Sequence, residues 1–214
     1  MNSDLLTTIK EAFDSQAMNN FVPRDEASKE VFLSRIVEKY PPNGRVMIAE
    51  INSNNPGLVV DLGCGLNQYK GKIKNLVGID LLDYRADIVS DITDLSSHFQ
   101  DHTVDVVLAL GSINFGDDSV IEQQLKEVKR LLKKNGVAYF RANLNDHDPD
   151  HKGKLYYYGW SKEKVIEWGN TLGFELVGEA VLAEGRAGVK DRMNRDFVSN
   201  ERSKSRLFWK WKSV

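Results

Sequence analysis

Asp61-Leu62-Gly63-Cys64-Gly65 places a carboxylate and a glycine turn at the end of a short apolar run, Leu58 to Asp61. A second apolar run, Leu76 to Asp80, also ends in an acid. Glycine at such a turn permits positive φ and lets backbone N–H groups approach a ligand with no Cβ in the way. A carboxylate at a strand tip, here Asp80, can accept hydrogen bonds from both hydroxyls of a ribose. Ligands of open α/β sheets sit beyond the carboxyl ends of the strands, where the strand order reverses. The two strand ends predict half of a nucleoside-binding crevice.

The elements that must position these ends follow from hydrophobic periodicity. Short apolar runs occupy Leu58–Asp61, Leu76–Asp80, Asp87–Val89, Val104–Leu110, Gly136–Arg141, Phe174–Val181 and Leu207–Lys212. Continuous hydrophobicity, as in Val104–Leu110, suits a strand buried on both faces of a parallel sheet. Amphipathic helices are expected over Ser119–Lys133 and Ser161–Leu172, the second with Ser161 as N-cap. The first fifty residues also read as helical: Leu5, Leu6, Ile9 and Phe13 recur at helical spacing, as do Val31, Phe32, Ile36 and Tyr40, before Pro41-Pro42 ends the run. A shorter helix follows over Arg45–Ile51. This alternation predicts an α/β fold: a doubly wound, seven-stranded, mostly parallel sheet with an antiparallel last strand and an N-terminal helical extension. Residues 1–214 read as a single domain, with 1–56 as the helical extension, 57–183 as the core, and 184–214 as a basic loop and final strand.

Composition narrows the function classes. The 214 residues are 41% apolar and 28% charged with a formal net charge of −2, ordinary for a globular chain and no global invitation to nucleic acid or an anionic membrane. No stretch is long enough to span a bilayer, the N-terminus lacks a signal-peptide pattern, and one cysteine cannot form an internal disulfide, so a cytoplasmic location is expected. A dinucleotide fingerprint wants a third glycine, yet Gly63-Cys64-Gly65-Leu66-Asn67-Gln68 carries glutamine there. Only Leu66 to Lys74 separate the glycine turn from the next strand, so the helix between them should be one or two turns. Both features argue against NAD or FAD.

The pattern resembles the class I S-adenosylmethionine-dependent methyltransferases, over about Leu58 to Val181. Val59 to Gly65 resembles that family's first motif and Gly78-Ile79-Asp80 its second. Leu125 to Gly136 resembles the helix and turn leading to its fifth strand, and Gly173-Phe174-Glu175 the entry to the sixth. The compact stretch from Asp61 to Lys70 is similar to a branch often found near genes for small-molecule or glycan modification. The resemblance implies S-adenosylmethionine as cofactor. It implies that Asp61, Gly63, Cys64 and Gly65 address the amino-acid end, and that Asp80 binds the ribose. Leu81 and Ile92 would sandwich the adenine, Asp91 would meet its exocyclic amine, and Leu110 and Gly111 would face the methionine part. Taken from the residues alone, Asp61 and Asp91 serve equally as turn caps, and Cys64 as a small filler.

The acceptor should lie at the ends of the fourth and fifth strands. Asn114 and Phe115 are candidate acceptor contacts. No proline occurs in Gly111–Gly116, which disfavours amino-methylation of DNA bases, and no Pro-Cys pair exists for cytosine-C5 chemistry. His147 is the candidate general base, its ordinary pKa suiting proton transfer. Asp146, Asp148 and Asp150 imitate a calcium loop, but His151 and Tyr157 stand where glycine and glutamate are needed, so no metal is expected. Tyr156 to Trp160 read either as packing or as an acceptor wall. From Arg186 to Lys212 cations outnumber acids and Trp209 and Trp211 alternate with lysines. This is either a lysine-protected edge strand or an anionic-partner surface. The leading expectation is methyl transfer to oxygen or nitrogen of a small molecule or saccharide. The rivals are a nucleic-acid or protein acceptor bound through the basic segment, and a non-catalytic cofactor-binding module.

Overall fold

The computed structural model describes residues 3–16, 44–82, 85–143, 157–183 and 206–214. The expected helix from Val31 to Tyr40, His147 and most of the basic segment lie outside these residues. Helices are α1 (Ser3–Gln16), α2 (Gly44–Ser53), α3 (Asp118–Leu131) and α4 (Lys162–Leu172). Strands are β1 (Val59–Leu62), β2 (Leu76–Asp80), β3 (Ile88–Val89), β4 (Val104–Leu110), β5 (Leu132–Asn143), β6 (Phe174–Leu176), β7 (Val181–Ala183) and β8 (Arg206–Ser213).

One mixed sheet runs β3-β2-β1-β4-β5-β8-β6, with β7 also paired to β8. Strands β1 to β5 pair in parallel, and β8 runs antiparallel to β5, β6 and β7. The strand order reverses between β1 and β4, so their carboxyl ends frame the crevice that the sequence predicts. Both faces of β4 are covered. Val107 and Ala109 join the core under α3 and α4, and Val106 and Leu108 join a second core with Met47 and Ile51 of α2. That two-sided burial is why β4 reads as an unbroken apolar run.

Capping explains the helix boundaries. Asp117 accepts from Ser119 N and Val120 N at the start of α3, one residue before the expected helix, and β5 begins directly at Leu132. Ser161 caps α4 through Lys164 N, as expected, and Gly173 closes it in the left-handed conformation at φ 70°.

Three expectations need correction. The segment between Gly65 and β2 forms no helix; it is a chain of turns, with Asn67 N bonded to Cys64 O, Lys70 N to Asn67 O and Ile73 N to Tyr69 O. Tyr69 and Ile73 take the place of a helix by burying themselves in the α2-side core. The single run expected over Phe174–Val181 is two strands, β6 and β7, broken near Gly178 at φ 74°, which pair with successive stretches of β8. Finally, β8 is not an edge. It lies between β5 and β6, and Trp209 stacks on Phe140 (4.9 Å) while Trp211 stacks on Phe174 (5.1 Å). Both indoles are buried, so neither is placed to stack on a base. No helix among the described residues is long and apolar enough to cross a membrane.

Candidate functional site

The ends of β1 and β2 are tied to each other. Gly63 N and Cys64 N both donate to Ile79 O, at 2.8 and 2.9 Å. Gly63 turns at φ 70° and passes so close to the β4 end that a Cβ on it would stand 2.4 Å from Ser112 Cβ. Gly65, at φ 55°, donates its N–H to Asp80 Oδ2 at 2.8 Å, and Leu82 N donates to Asp80 Oδ1 at 3.0 Å. Burial raises the Asp80 carboxyl above its ordinary value, and these N–H donors work in the opposite direction.

The β4 and β5 ends form the opposite wall. Gly111 turns at φ 117°, and a Cβ there would meet Arg141 Nη2 at 2.8 Å. The same guanidinium donates to Leu110 O, its partner in the β4–β5 register. Asp61, 2% exposed, lies within electrostatic reach of both Asp80 and Arg141. Burial, reinforced by the charge of Asp80 and partly offset by Arg141, pushes its carboxyl up to about 8.

Between these walls lies a cavity of about 270 Å³. It is lined by Gly63 and Gly65 of the turn, Asp80, Leu81 and Leu82 at the β2 end, Ser90 and Ile92 after β3, and Leu110, Gly111, Ser112 and Phe115 at the β4 end. Ile9 of α1, Gln124 of α3 and Arg141 of β5 complete it. Seven of the ten cofactor contacts expected from the sequence thus meet in one space: Gly63, Gly65, Asp80, Leu81, Ile92, Leu110 and Gly111.

The remaining candidates are placed differently. Asp61 and Cys64 are buried at the turn itself, and burial beside Asp61, Asp80 and Asp87 raises the Cys64 thiol, which disfavours a thiolate there. Asp91 accepts from Thr93 N at 2.9 Å, the turn-capping role, while its neighbours Ser90 and Ile92 reach the cavity. Asn114 is 1% exposed, and its carbonyl accepts from Tyr158 N at 2.9 Å. Phe115 does line the cavity, with its ring 5.2 Å from that of Tyr157.

Six lining residues went unassigned in the sequence: Leu82 and Ser90, which flank assigned positions, and Ile9, Ser112, Gln124 and Arg141. Gln124 carried a usable signal, being a polar residue within the buried stripe Val120, Ile121, Leu125 and Val128 of α3. Ile9, Ser112 and Arg141 carried none, because only the sheet order brings them to the β1 and β2 ends.

Comparison with known proteins agrees with this geometry. A family model described as "Methyltransferase domain" matches residues 60–140. Among curated proteins no sequence matches the chain. The chain is similar in fold to the 1,6-didemethyltoxoflavin-N1-methyltransferase of Burkholderia thailandensis, solved with its substrate and S-adenosylhomocysteine. That match has 12% identity and a TM-score of 0.65, covering 100% of this chain and 91% of the other. N-methyltransferase NodS of Bradyrhizobium japonicum, solved with S-adenosylhomocysteine, matches at 14% identity and TM-score 0.55 over 99% of each chain. An S-adenosylmethionine-dependent methyltransferase of Methanosarcina mazei matches at 15% identity and TM-score 0.56, over 82% of this chain and 98% of the other. Residues 60–140 thus match a methyltransferase-domain model, and the fold built around that stretch is the class I S-adenosylmethionine-dependent methyltransferase fold.

Proposed function

We propose that the protein is an S-adenosylmethionine-dependent methyltransferase whose acceptor is an oxygen or nitrogen atom of a small molecule or saccharide. The observation that carries this is the single cavity uniting the Gly63–Gly65 turn, Asp80, the Leu81–Ile92 pair and the β4 end.

The residues present fit the cofactor. Among the described residues, no atom beyond its chain neighbours lies within 4 Å of where a Gly65 Cβ would be, so that space is open to a ligand. Asp61 and Asp80 set two carboxylates beside one guanidinium, Arg141. With the Asp61 proton held until a cation arrives, this set suits a sulfonium with an ammonium and a carboxylate better than a pyrophosphate. Asp80 would hold the ribose, Leu81 and Ile92 the faces of the adenine, and Asp61 with the glycine backbone the amino-acid end. When bound, the cofactor supplies a methyl group already activated on sulfur.

The chain's own contribution is positioning and exclusion of water. Ser112 and Phe115 stand at the β4 end, where an acceptor would approach, and Ile9 of α1 also lines the cavity. An acceptor with a free lone pair needs no general base. For one that must lose a proton, His147 is the candidate base and Asn114 a candidate contact. Two neighbours that align with nearly the whole chain are N-methyltransferases, one of them named for 1,6-didemethyltoxoflavin, which favours nitrogen and a small acceptor. The burial of Trp209 and Trp211 weighs against base stacking by the final strand.

The test pairs calorimetric titration of S-adenosylmethionine with transfer of labelled methyl to a panel of small molecules, saccharides, RNA and protein. Binding together with label in a small-molecule or saccharide fraction is expected. Absence of any cofactor binding overturns the proposal, and label confined to RNA or protein overturns the acceptor class.

A further inference from the structure

The cavity contains a buried polar group that the arrangement above leaves unused. Gln124 is 1% exposed, yet its carboxamide Oε1 has no hydrogen-bond partner among the described residues. It sits on the buried stripe of α3, where neighbours Ile121 and Leu125 are fully buried core residues. A buried amide oxygen without a donor is a standing cost to the fold, and native proteins satisfy nearly all such groups. Gln124 also lines the cavity, and a flip of its carboxamide, which exchanges Oε1 and Nε2, turns the orphan oxygen toward an arriving ligand donor.

The same cavity identifies the donor. Leu81 and Ile92 offer apolar faces suited to a flat heteroaromatic ring. Asp91, the acid next to Ile92, already commits one carboxylate oxygen to Thr93 N. We propose that Gln124 is a base-reading residue, whose carboxamide oxygen accepts a hydrogen bond from the exocyclic amine of the cofactor's adenine. The inference rests on the S-adenosylmethionine reading and deepens it. It gives the site a reason to prefer an amino-purine over an oxo-purine, since an oxo group would set oxygen against oxygen.

The experiment compares S-adenosylhomocysteine with S-inosylhomocysteine, in which a carbonyl replaces the amine, by calorimetry on the full chain. The wild type should bind the adenine compound at least about tenfold more tightly. Gln124→Leu, of similar volume, should weaken the adenine compound about 5- to 20-fold, leave the inosine compound little changed, and so collapse the ratio. Without ligand, Gln124→Leu should melt about 2–6 °C higher, because the orphan is gone. Gln124→Met should repeat both effects. Unchanged adenine affinity in both variants, or equal weakening of both compounds, overturns the role of Gln124 while leaving the cofactor reading intact. A wild type that binds neither compound overturns both.

Discussion

Asp80 receives the backbone N–H of Gly65 at 2.8 Å, so the acid at the end of β2 holds the glycine turn at the end of β1. The two segments that stand out in the sequence are one mechanical unit, joined through a carboxylate that also faces the cavity. Asp80→Ala removes the proposed ribose ligand and the tether together. Its affinity for S-adenosylhomocysteine should fall by more than about tenfold, as expected for losing hydrogen bonds to a charged group. Calorimetry showing unchanged affinity would sink the assignment of Asp80.

Gly63 and Gly65 both have positive φ but should answer alanine differently. At Gly63 the new Cβ meets Ser112 Cβ at 2.4 Å, so overpacking adds to backbone strain and a loss of about 2–4 kcal/mol is expected. At Gly65 the Cβ meets nothing within 4 Å among the described residues, leaving only the strain of about 1–2 kcal/mol. That Cβ intrudes on ligand space, however, so Gly65→Ala should lose cofactor affinity out of proportion to its stability. Denaturant unfolding beside calorimetry separates the two; equal stability losses would contradict this geometry.

Asp61 makes the ligand-free protein pH-sensitive. Its folded pKa of about 8 lies above the ordinary carboxyl value of 3.8. The proton is therefore held more tightly in the folded state. The stability this contributes is fully present below the ordinary value and is lost as pH rises through about 8. Asp61→Asn should flatten the decline in melting temperature between those limits. Binding of a cofactor ammonium should also expel the proton at neutral pH. Titrations in two buffers of different ionisation enthalpy should then give different apparent heats, and identical heats would show that no proton leaves.

Lys129 offers a control remote from the cavity. Its ammonium donates to Gly173 O (2.6 Å), Ser213 Oγ (3.0 Å) and Val214 O (3.0 Å), joining α3 to the end of α4 and the end of β8. Lys129→Met should cost about 1–3 kcal/mol in urea unfolding, because several charge-assisted hydrogen bonds vanish. Cofactor affinity should not change. A parallel loss of affinity would mean that the β8 side of the sheet is coupled to the crevice.

What the sequence discloses follows the distance between cooperating residues. Gly63, Gly65 and Asp80 are legible because one strand–turn–strand unit carries all three, and the turn chemistry is local. Arg141 is not, since a lone arginine ending an apolar strand looks like any solvated strand tip until β5 is seen beside β4. The expected helix after Gly65 fails for a steric reason. Asn67 adopts φ 53° and lays its carboxamide over Gly78, where a Cβ would stand 2.7 Å away. Its Nδ2 bonds to Arg85 O at 2.9 Å, so side-chain hydrogen bonding across to β2 and its following loop displaces helical geometry. The edge position expected for β8 fails because lysines alternating with tryptophans look like edge protection, whereas Lys210 pairs with Glu50 of α2 at 2.6 Å and the indoles face the core.

The position of β8 also governs how the chain can fold. During synthesis β5 emerges long before β8, which inserts between β5 and β6 from the far end of the sequence. Until then the β5 edge has unpaired backbone groups, and the aromatic core around Phe140 lacks Trp209 and Trp211. The β1–β4 crevice can assemble from earlier contacts, but the sheet closes only by a late, long-range pairing. A nascent chain that has made its crevice half therefore still carries an open template for unwanted strands, and β8, made well after β5, is the strand that removes it.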